Sequence, residues 1–493
     1  MRTRFAPSPT GDLHIGSCRT ALFNFLAAKH AGGEFKLRIE DTDKERNSES
    51  SLQSIKDGLE WLGLIQDGDI VMQSSEIQNH QDAVVKLIAT GAAYHCYLSQ
   101  NEIDAQKKYC EQVKKPYRYD MSWRPDQHDN ELEWKQHLAK KINDNVRSVV
   151  RLKMPLNGTT EFEDVIRGKL SINNSELDDF VILRADGTPT YLLAAIVDDH
   201  NMGITHVIRG EDHITNTFKQ IQIYKALGWE IPTFAHISLI HGEDGAKLSK
   251  RHMAMSVLSL RDNGYLPEAV NSYLVGLGWG HASSNYLTMQ EMIEQFNITQ
   301  VGKSPSRLDF AKLDNINHHF LQKRDDFSLS ETVLSNLLSQ PFEFDTKQLS
   351  LRTDIDLSSV EKLSSMSDVS TLVSLAMIYQ MMPQLKPRAK TLVELIDSAK
   401  YLFKLPEFDD SAKEVLTQNF NLLGKLRIHF QCGGKGLSDF NLGDFKMKDA
   451  AITLRAALCG SKTSSGSMES IVEVLGKTEV ISRLNTTYHI FTR

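Results

Sequence analysis

The chain has 493 residues, of which 41% are hydrophobic and 24% charged, and its 56 Lys+Arg against 63 Asp+Glu leave a net charge of −7. At roughly 100–200 residues per domain this is a globular chain of about three to five domains, and the composition excludes a disordered chain, a collagen and a disulfide-stapled miniprotein. The charge argues against broad nucleic-acid affinity, although residues 321–493 sum to zero, and a neutral tail can still present a basic face.

Residues 2–6 (RTRFA) read as a short strand stopped by Pro7 and Pro9. Over 14–30, Ile15, Cys18, Leu22, Phe25 and Leu26 recur on one helical face, and Gly32 and Gly33 end the helix. Phe35, Leu37 and Ile39 alternate with Lys36 and Arg38, a strand of period two, and a further helix fits 49–62, closed by Gly63. Strand, helix, strand, helix is the pattern of a parallel α/β sheet. Residues 81–189 are more polar, hold Pro116, Pro125 and Pro155, and read as an insertion. The α/β pattern resumes at 191–197, with a strand over 206–208, a helix over 214–227 and a strand over 234–240. From about 321 the pattern is nearly all helical, as at 369–382 and 391–403. The longest obvious apolar run, 191–197, is far short of the ~20 residues of a membrane span, and the N-terminus has no apolar stretch of signal-peptide length. Cys18, Cys96, Cys110, Cys432 and Cys459 are scattered and form no CxxC pair, so they read as free thiols in a reducing cytoplasm.

Two stretches carry chemistry. In Pro7-Ser8-Pro9-Thr10-Gly11-Asp12-Leu13-His14-Ile15-Gly16 the prolines and Gly11 make a rigid turn after a strand and put His14 in the first turn of a helix. The free N–H groups and positive end of that helix suit a phosphate, and Gly16 lets a nucleotide approach the backbone. Taken alone, the stretch reads equally well as a proline-rich turn with a capping histidine. Lys247-Leu248-Ser249-Lys250-Arg251 follows a loop, His241-Gly242-Glu243-Asp244-Gly245, and puts three cations in five residues. Such a loop can clamp a polyphosphate; by itself it reads more readily as a solvated basic turn.

Together, PSPTGxxHIG and a KLSKR that begins 233 positions after His14 resemble the paired motifs of class I aminoacyl-tRNA synthetases. Longer strings narrow the resemblance to bacterial glutamyl-tRNA synthetases: Arg4-Phe5-Ala6-Pro7-Ser8-Pro9-Thr10-Gly11, Arg38-Ile39-Glu40-Asp41-Thr42-Asp43, Val197-Asp198-Asp199-His200 and Val207-Ile208-Arg209-Gly210-Glu211-Asp212-His213. The likeness is dense over 1–80 and 190–260, loose over 81–180 and 321–440, and recovers at Leu454-Arg455-Ala456-Ala457-Leu458.

The resemblance implies an α/β, Rossmann-like catalytic domain at 1–80 and 190–243 and an inserted α+β domain at 81–189 that binds the acceptor end. A stem-contact domain carrying the KLSKR loop would follow at 244–320, then all-α anticodon-binding subdomains at 321–380 and 381–493. It implies two steps: glutamate attacks ATP to give glutamyl-adenylate and pyrophosphate, and the terminal ribose hydroxyl of tRNA then takes the glutamyl group. In-line attack at phosphorus needs positioning and charge stabilisation more than a covalent nucleophile. By the resemblance His14, Lys247 and Lys250 are the catalytic residues. ATP would be held by Pro7, Ser8, Pro9, Thr10, Gly11, Ile15, Gly16 and Ser17 with Leu248, Ser249 and Arg251, and magnesium would accompany it. Glutamate would be read by Arg4, Ala6, Ser8, Glu40, Tyr191 and Arg209, since a buried carboxylate needs a partner and a guanidinium supplies a bidentate one. The implied partners are L-glutamate and tRNA(Glu), with tRNA(Gln) a second candidate, acting on a monomer with no membrane.

Several positions depart from the family pattern. Ala195 stands where many relatives carry Asn, His213 where some carry Trp, and Ser17 in place of the second histidine of the first motif. Some relatives hold zinc in the insertion through three cysteines and a later ligand; here Cys96 remains, while the next expected cysteine position is Leu98 and the Arg-Cys-Arg-like stretch reads Ser122-Trp123-Arg124. One thiolate makes no tetrahedral site, so no structural zinc is expected. Glutaminyl-tRNA synthetases usually read PEPNG and FDDTN at the first two strings, and shorter relatives that glutamylate a modified base lack the helical tail. A catalytically inactive tRNA-binding paralogue is the alternative from another class, and intact His14, Lys247 and Lys250 argue against it. In the tail Arg388, Lys390, Lys425, Arg427, Lys435, Lys446, Lys448 and Arg455 supply cations, and Phe403 and Phe430 are candidate stacking residues.

Overall fold

The computed structural model describes residues 1–43, 47–114, 117–128, 131–144, 146–246, 256–280, 285–339, 352, 355, 357 and 368–492. It divides into two compact units, residues 1–260 with 270–309, and residues 261–269 with 310–493.

In the first unit, β1 (Arg2–Phe5), α1 (Ile15–His30), β2 (Glu34–Ile39) and α2 (Glu49–Trp61) follow the expected order, and β3 (Val71–Met72) completes a parallel sheet of order β1-β2-β3. Helix α1 sits on this sheet because Leu22, Phe23 and Leu26 are wholly buried. After α3 (Ile77–Ala89) the chain enters its polar stretch. There β4 (Ala93–Cys96), α4 (Gln100–Gln112), α5 (Glu131–Asn143), β5 (Val149–Leu152), β6 (Thr159–Asp164), β7 (Gly168–Asn173) and β8 (Val181–Leu183) form in turn. Strands β4, β5 and β8 make a separate antiparallel sheet, whereas β6 and β7 form a hairpin whose Asp164 pairs with Phe234.

The run at 191–197 is the front of α6 (Tyr191–Asn201). Then β9 (His206–Gly210), α7 (Ile214–Leu227) and β10 (Thr233–Ile237) form, with β9 and β10 parallel. The expected strand over 234–240 is divided, since Ile240–His241 pairs with Ser306–Arg307 instead. Thr205 N–H donates to the Arg2 carbonyl at 3.0 Å, which ties the entry of β9 to the start of β1. One apolar core joins α3, α6 and α7 to the sheet through Leu87, Leu193, Ile221 and Phe234. In parallel sheets crossed over by helices, the carboxyl ends of the strands open a crevice; here Phe5, Ile39, Gly210 and Ile237 stand at those ends.

The described elements of the second unit are helices, including Phe310–Lys323, Asp326–Ser339, Val369–Leu385, Phe420–Gln431, Met447–Cys459 and Met468–Thr492, the last interrupted at Gly476 (φ 73). The helix expected over 391–403 is Leu392–Ala399 followed by a 3-10 turn, Lys400–Leu402. No helix among the described residues is long and apolar enough to cross a membrane.

Candidate active site

The turn after β1 is held by the chain that follows β2: Glu40 N–H donates to the Pro7 carbonyl at 2.9 Å and Ser48 N–H to that of Pro9 at 3.2 Å. His14 stands one place earlier than expected, as the extended N-cap of α1 rather than in its first turn. Its Nδ1 accepts from Ser17 N–H at 3.2 Å, so the ring proton is on Nε2, 2.9 Å from Ser17 Oγ. Burial lowers the His14 pKa, which keeps the ring neutral at pH 7. Ser17, in place of a second histidine, is thus the residue that orients the first. A Cβ on Gly16 would lie 3.2 Å from the His14 ring, so this glycine gives the capping imidazole its room. Gly16 N–H, in the first turn of α1, has no helix carbonyl within reach, and Gly16 lines the cavity described next. On the other side His14 forms an antiparallel bridge with Ser256, and Val257 N–H donates to the Leu13 carbonyl at 2.9 Å. Lys247, Leu248, Ser249, Lys250 and Arg251 lie outside the described residues.

Beside this helix end is a cavity of ≈ 600 Å³. Pro7, Ser8, His14, Gly16 and Ser17 of the first motif line it, and so do Arg4, Ala6, Glu40, Tyr191 and Arg209. Pro9, Thr10, Gly11 and Ile15 do not: Pro9 and Ile15 are buried, while Thr10 and Gly11 are exposed on the turn. Ala195 is buried in α6 and also lies outside the lining.

Two of the arginines that line the cavity, Arg4 and Arg209, differ in their partners. Arg4 meets Asp199 through Nε at 2.9 Å and Nη2 at 3.3 Å, and Arg38 donates to the same carboxylate at 2.6 Å. Arg38 also reaches Glu40 at 3.1 Å and lies 3.6 Å from Asp198. Asp198 in turn accepts from Gln73 at 2.7 Å and is 2.6 Å from His80 Nε2. Burial pushes Glu40 above the ordinary carboxylate range against the pull of Arg38. Burial pushes Asp199 the same way, but Arg4 and Arg38 outweigh it and hold Asp199 below that range.

Arg209 is buried without an ion-pair partner among the described residues. Nη2 donates to Thr217 and to Gln220, each at 2.7 Å, Nε to His236 at 3.3 Å, and Nη1 lies 3.5 Å from the Tyr191 hydroxyl. Burial first, and then the charge of Arg4, lower its pKa against the pull of Tyr191 and Asp199, and Tyr191 is raised by burial. His213, 3.2 Å from that hydroxyl, is pushed down to about 4 by burial first and then by Arg209, so it too is neutral. A buried guanidinium hydrogen-bonded to neutral groups and open to a cavity on one side can pair with a carboxylate.

Sequence reasoning quoted Arg38, Asp198 and Asp199 but gave them no part. The available signal was two adjacent acids at the end of the most apolar run, since buried carboxylates require cations. In the insertion, Cys96 is buried with Tyr94, Tyr97, Tyr119 and Trp123. In the tail the structure corrects one expectation: Phe430 is core, 1% exposed, and cannot stack on a base. Arg455 is spent on the carbonyls of Ser464 and Gly466, and Arg427 lies over Tyr488, whereas Lys435, Lys446 and Lys448 are exposed.

Residues 1–315 match the model of the catalytic domain of class I tRNA synthetases (E and Q), and residues 441–488 that of an anticodon binding domain. Glutamate–tRNA ligase 1 of Beijerinckia indica subsp. indica is 43% identical over 98% of both chains, and glutamate–tRNA ligase 2 of Rhodospirillum centenum is 43% identical, again over 98% of both. Among solved structures, a glutamate tRNA ligase from Elizabethkingia meningosepticum, in complex with its amino acid, matches with a TM-score of 0.80 at 30% identity, covering 100% of this chain and 99% of that one. With a parallel sheet whose strand ends carry the cavity, and with these matches along its whole length, the chain belongs to the class I (E and Q) tRNA synthetases.

Proposed function

We propose that the chain is a glutamate–tRNA ligase, which activates L-glutamate with ATP, as its magnesium complex, and transfers it to the 3′ end of tRNA(Glu). The observation that carries this reading is Arg209, buried with no ion-pair partner among the described residues and facing the same cavity as the amino end of α1. Glutamate brings the missing carboxylate to Arg209. Its ammonium brings a cation to Glu40, whose raised pKa falls as the pair forms. The α-carboxylate, beside Ser8, then attacks the α-phosphorus of ATP; the new O–P bond forms as the bond to pyrophosphate breaks. In this reading the Gly16 N–H beside His14 faces the nucleotide phosphates, and Lys247 and Lys250 take up the charge developing on pyrophosphate. The terminal ribose hydroxyl of tRNA next attacks the acyl carbon, AMP leaves, and the hydroxyl proton passes to the released phosphate.

The remaining assignments follow from the same reading. The stretch 81–189 receives the acceptor end with no structural zinc, Cys96 being a single cysteine among aromatic rings. The segments 244–320, 321–380 and 381–493 contact the stem and the anticodon, and the enzyme works as a monomer. The test is aminoacylation of purified tRNA(Glu) and tRNA(Gln) with labelled glutamate or glutamine, against a Lys250→Ala control. Ester-linked glutamate on tRNA(Glu), and none from glutamine, is the expected result. Glutamate on tRNA(Gln) as well would extend the substrate range. No product on either tRNA above the control overturns the reading.

A further inference from the structure

Three neutral acceptors hold Arg209, and each was open to a charged alternative. Gln220 contributes only its Oε1; its Nε2 is buried with no hydrogen-bond partner. A glutamate there would offer the same oxygen, remove the orphaned amide and ion-pair with Arg209, so for stability alone it is the better side chain. Thr217 supplies a hydroxyl, 2.7 Å from Nη2 and 3.0 Å from His236 Nε2. His236 is fixed from behind: Asp164, itself bonded by the N–H groups of Ile166, Arg167 and His236, sits 2.6 Å from His236 Nδ1. A carboxylate only accepts, so Nδ1 carries the proton and Nε2 is the lone pair that receives Arg209 Nε. Burial keeps this imidazole neutral.

We propose that Gln220 and His236 are positioning residues that set substrate choice by anchoring Arg209 without neutralising it, so that its charge is satisfied only by an acidic substrate side chain. This rests on the ligase reading above. The guanidinium is oriented through Nη2 and Nε by groups that cannot compete with the ligand, and a carboxylate at any of those places would make the pocket indifferent to a carboxyl or an amide.

The experiment measures aminoacylation kinetics and melting temperature for the full chain. Gln220→Glu should melt at or above the unmodified protein, raise the glutamate KM by roughly tenfold or more and shrink the glutamate-over-glutamine ratio, with the ATP KM little changed. His236→Leu, which removes the acceptor, should raise the glutamate KM; His236→Gln, which restores an acceptor near the Nε2 position, should recover at least about fivefold of that loss. An unchanged glutamate KM and ratio in a folded Gln220→Glu overturns the proposal. If that variant does not fold, equal glutamate KM values for His236→Leu and His236→Gln overturn it. Absence of glutamylation by the unmodified chain is a different outcome, and it overturns the ligase reading itself.

Discussion

Asp199 receives hydrogen bonds from two guanidinium groups while nearly removed from water, so its charge and theirs stand or fall together. Removing one partner of a buried pair costs about 3–5 kcal/mol, because the other charge is left without compensation. Asp199→Asn is expected to destabilise the fold by that order and to loosen Arg4 at the cavity wall. The sign with pH follows from the depressed pKa. The stabilisation is complete above the unfolded carboxylate value of about 3.9 and is lost as the pH falls through the lower folded value. Urea unfolding at a series of pH values should show the gap between the unmodified protein and Asp199→Asn held down to about pH 4 and closing below it. A gap that does not change with pH would assign the loss to packing. Arg4 and Glu40 were legible from short strings in one stretch of chain, because a motif is a local object. The bond from Arg38 to Asp199 was not, since it spans 161 positions and neither neighbourhood alone names its partner. Arg209 was legible as a residue but its neutral anchoring was not, for the same reason.

Elements were legible where their burial was one-sided or complete. Strand β2 shows its period of two, and α1 its apolar repeat, within a residue of the observed bounds. The β6–β7 hairpin was hidden in a polar stretch because much of it faces water: β7 alternates half-buried with exposed residues along its length. The elements around His14 depend on one small residue of α2. A Cβ at Gly58 would come within 2.7 Å of Val257 Cγ1 and 3.0 Å of Leu13 Cδ2, on the two segments bridged at His14 and Ser256. Within a helix, alanine in place of glycine gains up to about 1 kcal/mol of propensity. A branched side chain must move both neighbours, and overpacking costs about 1–3 kcal/mol. Gly58→Val should therefore lower the melting temperature and raise the ATP KM several-fold, by shifting the cap of α1. Steady-state kinetics with ATP varied tests it, and a lowered melting temperature with an unchanged ATP KM would separate this packing from nucleotide binding.

At the scale of the molecule, helix content in the tail was legible from periodicity, but what those helices bind was not. Amphipathic helices look alike whatever they touch, and the anticodon-domain match covers only residues 441–488. Deleting the tail is a poor way to ask, because residues 261–269 belong to the second unit. Leu392 N–H donates to the Gly264 carbonyl at 2.9 Å, so truncation would strip a partner from the chain left behind. Point changes at exposed cations avoid this. Lys446 and Lys448 are exposed at the start of Met447–Cys459, inside the matched anticodon region, and among the described residues neither side chain makes a hydrogen bond or ion pair. If they meet the phosphates of a single-stranded loop, each removes about 0.7 from the slope of log affinity against log salt. The double variant Lys446→Ala, Lys448→Ala should then raise the tRNA KM by roughly tenfold at moderate salt and flatten that slope by about 1.4, with the KM for glutamate unchanged. Aminoacylation with tRNA varied over a salt series measures both, and an identical slope in the variant would place these lysines on a face that tRNA does not touch.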